Sequence, residues 1–112
     1  MKTFVKIKTQ FEGIHCWINA PEEVYYLRTP HRHDFYVTCE IEVYHNDREL
    51  EFFTILHKLE TFISKNIKDL PLTTSCEEYA SFIFSFLREE YGDRQMSVEV
   101  SEDMKSSSIV KS

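Results

Sequence analysis

Thr29-Pro30-His31-Arg32-His33-Asp34-Phe35-Tyr36-Val37-Thr38-Cys39-Glu40-Ile41-Glu42-Val43-Tyr44 (residues 29–44) reads as one long strand entered through a proline. Phe35, Val37, Cys39, Ile41 and Val43 alternate with Tyr36, Thr38, Glu40, Glu42 and Tyr44. That is the period of a pleated strand with one face in a core and the other polar but aromatic. The same alternation puts His31 and His33 on one face, where both imidazoles can turn toward one point. A third imidazole from a neighbouring strand completes the three-nitrogen arrangement of a catalytic zinc site with one open position. His15 is the candidate. On spacing alone, an exposed strand start carrying two unligated histidines also fits.

Upstream, Val5, Ile7, Thr9 and Phe11 alternate with Lys6, Lys8, Gln10 and Glu12, a half-buried strand over residues 3–16 in which Gly13 marks a bulge before His15. Residues 17–30 carry two prolines and read as a loop or loose ribbon. Downstream, Asn46 and Glu49 have capping-box spacing, and Phe52, Ile55, Leu56, Leu59, Phe62, Ile63 and Ile67 recur at helical spacing. Pro71 punctuates the stretch 65–74. Ser75 and Glu78 form a second capping box ahead of the stripe Tyr79, Phe82, Ile83, Phe86 and Leu87, and Gly92 stops that helix. Val98 and Val100 mark a third strand, Ile109-Val110 a short fourth. The expected fold is α+β: an antiparallel four-stranded sheet with two helices on one face, in the order ββααββ, as a single domain over residues 1–112.

Size and composition agree with one modest core: 112 residues, 42% apolar and 29% charged. Nine Phe, six Tyr and one Trp favour bulky packing between layers. The net charge of −6 and the lack of a basic stripe argue against nucleic acid as principal partner. Cys16, Cys39 and Cys76, odd in number and widely spaced, fit reduced cytosolic thiols. No segment has the length to span a membrane, so a soluble, cytoplasmic protein is expected.

In order along the chain, five segments resemble the 6-pyruvoyl-tetrahydropterin synthase and 6-carboxytetrahydropterin synthase family. Phe11-Glu12-Gly13-Ile14-His15 is similar to its Phe-x-x-x-His, and His31-Arg32-His33-Asp34-Phe35 to its His-Gly-His-Asn-Tyr. Leu50-Glu51-Phe52 stands where the family opens its first helix with apolar-Asp-Phe. Thr74-Ser75-Cys76-Glu77-Glu78-Tyr79-Ala80 resembles Pro-Thr-x-Glu-Asn-x-Ala, and Val98-Glu99-Val100-Ser101-Glu102-Asp103 resembles Val-x-Val-x-Glu-Thr. The resemblance implies the tunnelling fold, closed into an oligomeric barrel as a trimer or a pair of trimers. It also implies zinc on His15, His31 and His33, and a lyase-type activity on a dihydroneopterin-triphosphate-type substrate in queuosine or folate/biopterin metabolism. Glu102 becomes the anchor of the pterin's paired N–H donors. Ser75 and Glu77 are further substrate-binding candidates, although capping accounts for both. His45 and His57 have no counterpart and read as exposed.

The catalytic relay of the family is missing. Tyr25, Tyr26 and Leu27 occupy the positions where a cysteine is usual, and no histidine follows His57 to form the Asp-His pair. Cys16 is expected on the face opposite His15, and Cys39 too far along its strand. Glu22 and Glu23 lie in the correct loop and are the candidate catalytic bases, unless they are a solvated charge pair. Tyr25 and Tyr26 would need strongly lowered pKa values to serve. Two functions follow: a pterin synthase with an atypical base, or a catalytically degenerate zinc- and pterin- or purine-binding protein.

Overall fold

Strand β1 (Thr3–His15) and strand β2 (His31–Val43) form a long antiparallel ribbon, paired without interruption from Thr3 opposite Val43 to His15 opposite His31. The computed structural model describes all 112 residues, Met1–Ser112. Strands β3 (Met96–Glu102) and β4 (Ser106–Lys111) continue the sheet as a meander in the order β1-β2-β3-β4, every neighbour antiparallel. Helices α1 (Phe52–Asn66) and α2 (Cys76–Tyr91) cross one face, α1 against β1 and α2 against β3 and β4. The expected ββααββ sheet with two helices on one face is the observed fold.

The alternation read from β2 is what the helices cover. Phe35, Val37, Cys39, Ile41 and Val43 are buried, joined by Met96, Val98 and Val100 of β3 and by Ile55, Leu59, Ile63, Ile83 and Leu87 from the helices. Between the helices, Phe62 stacks on Phe86 with ring centroids 4.2 Å apart and tilts against Phe82 at 5.0 Å. Ser75 caps α2 reciprocally with Glu78, as its spacing predicts, and Gly92 ends it at φ 77°. A short 3-10 turn (Ile67–Asp69) precedes Pro71.

Four local expectations are corrected. Gly13 makes no bulge, since the ladder runs straight through it opposite His33. Its need for glycine is steric: a Cβ there would lie 2.9 Å from the Phe35 ring. Residues 17–30 are not wholly irregular. Glu22–Arg28 forms short 3-10 turns kinked at Val24, tied back by Arg28 Nε donating to the Ala20 carbonyl at 2.8 Å. Such tight turns carry no apolar periodicity to read. Helix α1 is capped by Glu51, which accepts from Thr54 N at 2.8 Å, and not by the Asn46 box. Glu49 is drawn elsewhere, accepting from Tyr44 N at 2.6 Å and pairing with Arg94 at 2.6 Å. Finally, Cys16 is not turned away from His15. It lies just past the last residue of β1, where strand alternation no longer governs direction, and it borders the same cavity.

Candidate metal centre

The end of the β1–β2 ribbon builds the site. His15 is the last residue of β1 and pairs with His31, the first of β2; His33 follows two residues on, opposite Gly13. All three therefore stand on the covered face, and one ring nitrogen from each lies within 4.8 Å of the other two. Ring centroids are 4.6 Å (His15–His31), 4.9 Å (His31–His33) and 5.3 Å (His15–His33) apart. The floor is Phe35, fully buried, with its ring 5.2 Å from that of His15 and 5.7 Å from that of His33.

Each imidazole is oriented from behind. Nδ1 of His15 donates to the Thr74 carbonyl at 3.0 Å, and Nδ1 of His31 to the Thr29 carbonyl at 2.9 Å. Nδ1 of His33 donates to Asp103 Oδ2 at 3.0 Å. Carbonyls and carboxylates can only accept, so Nδ1 carries a proton in each ring, which makes Nε2 the nitrogen available to a metal. Nε2 of His33 is buried without a hydrogen-bond partner. Three imidazoles held by outer hydrogen bonds form a set that suits a transition metal. His15, His31 and His33 together can hold one.

Glu102, at the end of β3 beside Phe35, reaches the same point. Its Oε1 is 3.0 Å from His15 Nε2 and its Oε2 is 3.6 Å from His33 Nε2. The Cys76 thiol, at the first turn of α2, donates to Oε1 at 3.6 Å. Burial, and then the Glu102 charge, push that thiol up to about 12, so it stays protonated. Burial also pushes Cys39 up to about 12, and it packs inertly in the core.

A cavity of about 540 Å³ opens beside this cluster, bordered by His15, His31, Ser75, Cys76, Glu77 and Glu102. Ser75 Oγ receives Glu78 N–H, and Glu77 receives the Ser108 hydroxyl at 2.9 Å. Glu22 and Glu23 are not brought here. Both are exposed, Glu22 paired with Arg28 at 3.3 Å, and neither borders the cavity. His45 and His57 are exposed and do not belong to the trio's ligand group.

A solved structure of similar shape is the 6-pyruvoyl tetrahydropterin synthase of Plasmodium falciparum. The match has a TM-score of 0.69 at 16% sequence identity and covers 99% of this chain and 98% of that one. The chain has the 6-pyruvoyl-tetrahydropterin synthase fold. No family model matches the sequence, nor does any curated protein. Within the synthase fold, no helix of this chain is long and apolar enough to cross a membrane.

Asp103 is the site residue that sequence reasoning missed. It stands where the resembling motif has a threonine, and it sits with Met104 in the β3–β4 turn, both at positive φ (52° and 62°). Non-glycine residues pay for that conformation, and such outliers gather at functional sites. Carboxylates that orient a ligating histidine typically carry 10–100-fold in metal affinity. Asp103→Ala is therefore expected to weaken metal binding by about ten- to a hundredfold, read by competition with a chelator, and Asp103→Asn, which keeps an acceptor and tolerates the turn, to weaken it less. Equal affinities for wild type and Asp103→Ala would remove Asp103 from the site.

Proposed function

We propose that this protein is a zinc-dependent, pterin-synthase-like protein that takes a dihydroneopterin-triphosphate-type substrate into the cavity beside His15, His31 and His33. The observation that carries this reading is the convergence of three imidazoles, one ring nitrogen of each within 4.8 Å of the others, and of the Glu102 carboxylate beside a cavity of about 540 Å³. That volume is in the range of small-molecule sites. Zinc, when bound, polarises a substrate oxygen and eases proton removal from the neighbouring carbon.

The chain's own groups supply recognition. A 2-amino-4-oxo heterocycle presents two N–H donors side by side, and the two Glu102 oxygens accept both in a charge-assisted contact. Ser75 and Glu77, on the same wall, offer their remaining lone pairs to the heterocycle's rim. Glu22 or Glu23 acts as base only if the segment from Pro21 to Thr29 closes over the cavity. Glu102→Gln keeps the shape but sets an N–H against the ligand's own. It is expected to weaken neopterin binding by about 1.5–3 kcal/mol, roughly ten- to more than a hundredfold by calorimetry.

The second reading, a metal- and pterin- or purine-binding protein without turnover, is favoured by the engagement of the cavity's acids. Glu78 is held in the capping box, Glu77 by Ser108, and Glu102 faces the histidines. Incubation of the zinc-loaded protein with dihydroneopterin triphosphate separates the two. Loss of triphosphate or side-chain cleavage identifies the synthase, and intact bound ligand identifies the binding protein. No binding of any pterin or purine overturns both.

We further propose a homo-oligomer, a trimer or a pair of trimers. Strands β1 and β4 are open edges, and unpaired edges of this length are ordinarily covered. Only 21 of 112 residues are buried. The radius of gyration is 15.2 Å, against about 13 Å for a compact chain of this length. Light scattering at micromolar concentration is expected to give a multiple of three; a monomer contradicts it.

A further inference from the structure

We propose that Trp17 is the stacking face of the cavity beside the metal centre, and that a planar heterocycle lies flat against its indole when it binds. The inference rests on the heterocycle reading above and names the side chain that holds the ring system by its face.

Trp17 follows His15 by two residues, where the chain turns out of β1, and it borders the cavity of about 540 Å³. Its backbone is fixed on both sides. Cys16 N–H donates to the Leu72 carbonyl at 2.8 Å and Trp17 N–H to the Leu27 carbonyl at 2.7 Å, while the Trp17 carbonyl accepts from Ala20 N–H at 3.1 Å. These bonds tie the residue both to the loop that follows it and to the segment that leads into α2. The indole itself has no ring against it. Other rings at this end of the molecule pair among themselves: His15 with His31, His33 and Phe35, and Tyr25 with Tyr26. A fully covered aromatic side chain takes about 150–250 Å² out of water. At 52% exposure, Trp17 forgoes half of that gain.

Its neighbours show why the occupant is a ligand of the cavity. Ile18, Tyr25 and Tyr26 of the same segment are also exposed, but none of them borders the cavity. Trp17 does, and the other walls leave stacking to it. Thr73 to Glu78 present hydroxyls, a thiol and carboxylates, His15 and His31 are committed to the metal position, and Leu27 has no flat face. Polar walls grip the edge of a planar heterocycle, and only an aromatic plane covers its face. Such a contact tolerates changes in ring substituents, because every nucleobase-like ring has a π-face. The polar walls thus read the edge, and Trp17 selects for flatness.

Trp17 is the only tryptophan of the chain, so its emission reports on the cavity directly. Saturating neopterin is expected to quench it in the zinc-loaded wild-type protein, with the midpoint found by calorimetry. Truncating an aromatic side chain that stacks on a base weakens binding by about five- to more than a hundredfold. Trp17→Ala is expected to fall in that range, and Trp17→Phe, which keeps a flat ring, to recover most of the affinity. Zinc content, circular dichroism and the mass by light scattering should match the wild type in both variants. If Trp17→Ala fails to fold, Trp17→Leu, apolar but not flat, carries the same comparison. Equal neopterin affinity in wild type and Trp17→Ala overturns the stacking role while leaving pterin binding standing, and so does unchanged Trp17 emission at saturation. Trp17→Phe binding as weakly as Trp17→Ala overturns it too. A changed mass in Trp17→Ala places the indole between copies of the chain and overturns it in favour of an interface. Failure of the wild type to bind neopterin overturns this inference together with the heterocycle reading.

Discussion

The double variant His31→Ala/His33→Ala is expected to lose its metal entirely: on the zinc reading proposed above, from about one zinc per chain in the purified wild type to none by elemental analysis. Both rings leave the same strand face, and the remaining His15 offers one nitrogen with only Glu102 nearby. One imidazole and one carboxylate fall short of the three protein ligands that catalytic zinc sites use. The fold should survive, because both side chains stand at the open end of the ribbon and neither belongs to the buried core. Retention of stoichiometric zinc by this variant would place the metal elsewhere and end the assignment.

The second large effect falls on stability. Phe35 is fully buried between Phe11, stacked at 5.1 Å, and Tyr79, tilted at 5.1 Å. It also lies under the rings of His15 and His33. Phe35→Ala is expected to cost about 3–5 kcal/mol, the range for emptying a large aromatic site in a core that relaxes only partly. Against a total of about 5–15 kcal/mol, that is a major part of the fold's stability. Urea denaturation should show a midpoint shift of that size at an unchanged slope. The same variant should bind metal more weakly, since two ligating rings lose their support. A cost below about 1 kcal/mol would mean that neighbouring side chains collapse into the space, and would remove Phe35 as the floor of the site.

What could be read in advance followed from periodicity. Strand alternation is a local property, so the face shared by His31, His33 and Phe35 was legible, and the third histidine was sought at the end of the neighbouring strand and found in the resemblance. The helix stripes and the Ser75–Glu78 box were legible for the same reason. Competition between equally good local signals was not. Asn46 and Glu49 have the spacing of a cap, but Tyr44 N and a distant arginine, Arg94, hold the Glu49 carboxylate, and Glu51 caps instead. Gly13 reads as a bulge by composition and acts as a gap for the Phe35 ring. Asp103 was hidden because its partner is 70 residues away and its turn lacks the glycine that usually marks positive φ. The covered face of Glu102 could be inferred from Val98 and Val100; its approach to two imidazoles depends on where β3 ends against β2.

His15 and His31 are opposite one another on the last rung of the longest ribbon in the molecule. Beyond that rung the chain leaves the sheet and returns only after residues 16–30. An ion gripped from both strands at this place is a clasp on the mouth of a loop. It fastens two segments that would otherwise part first, and it also polices alignment: sliding either strand by one residue would carry its histidines to the opposite face and scatter the donors. Of all registers open to the two strands, the clasp recognises one. Binding chemistry and the correct threading of the ribbon are thus checked by the same three side chains.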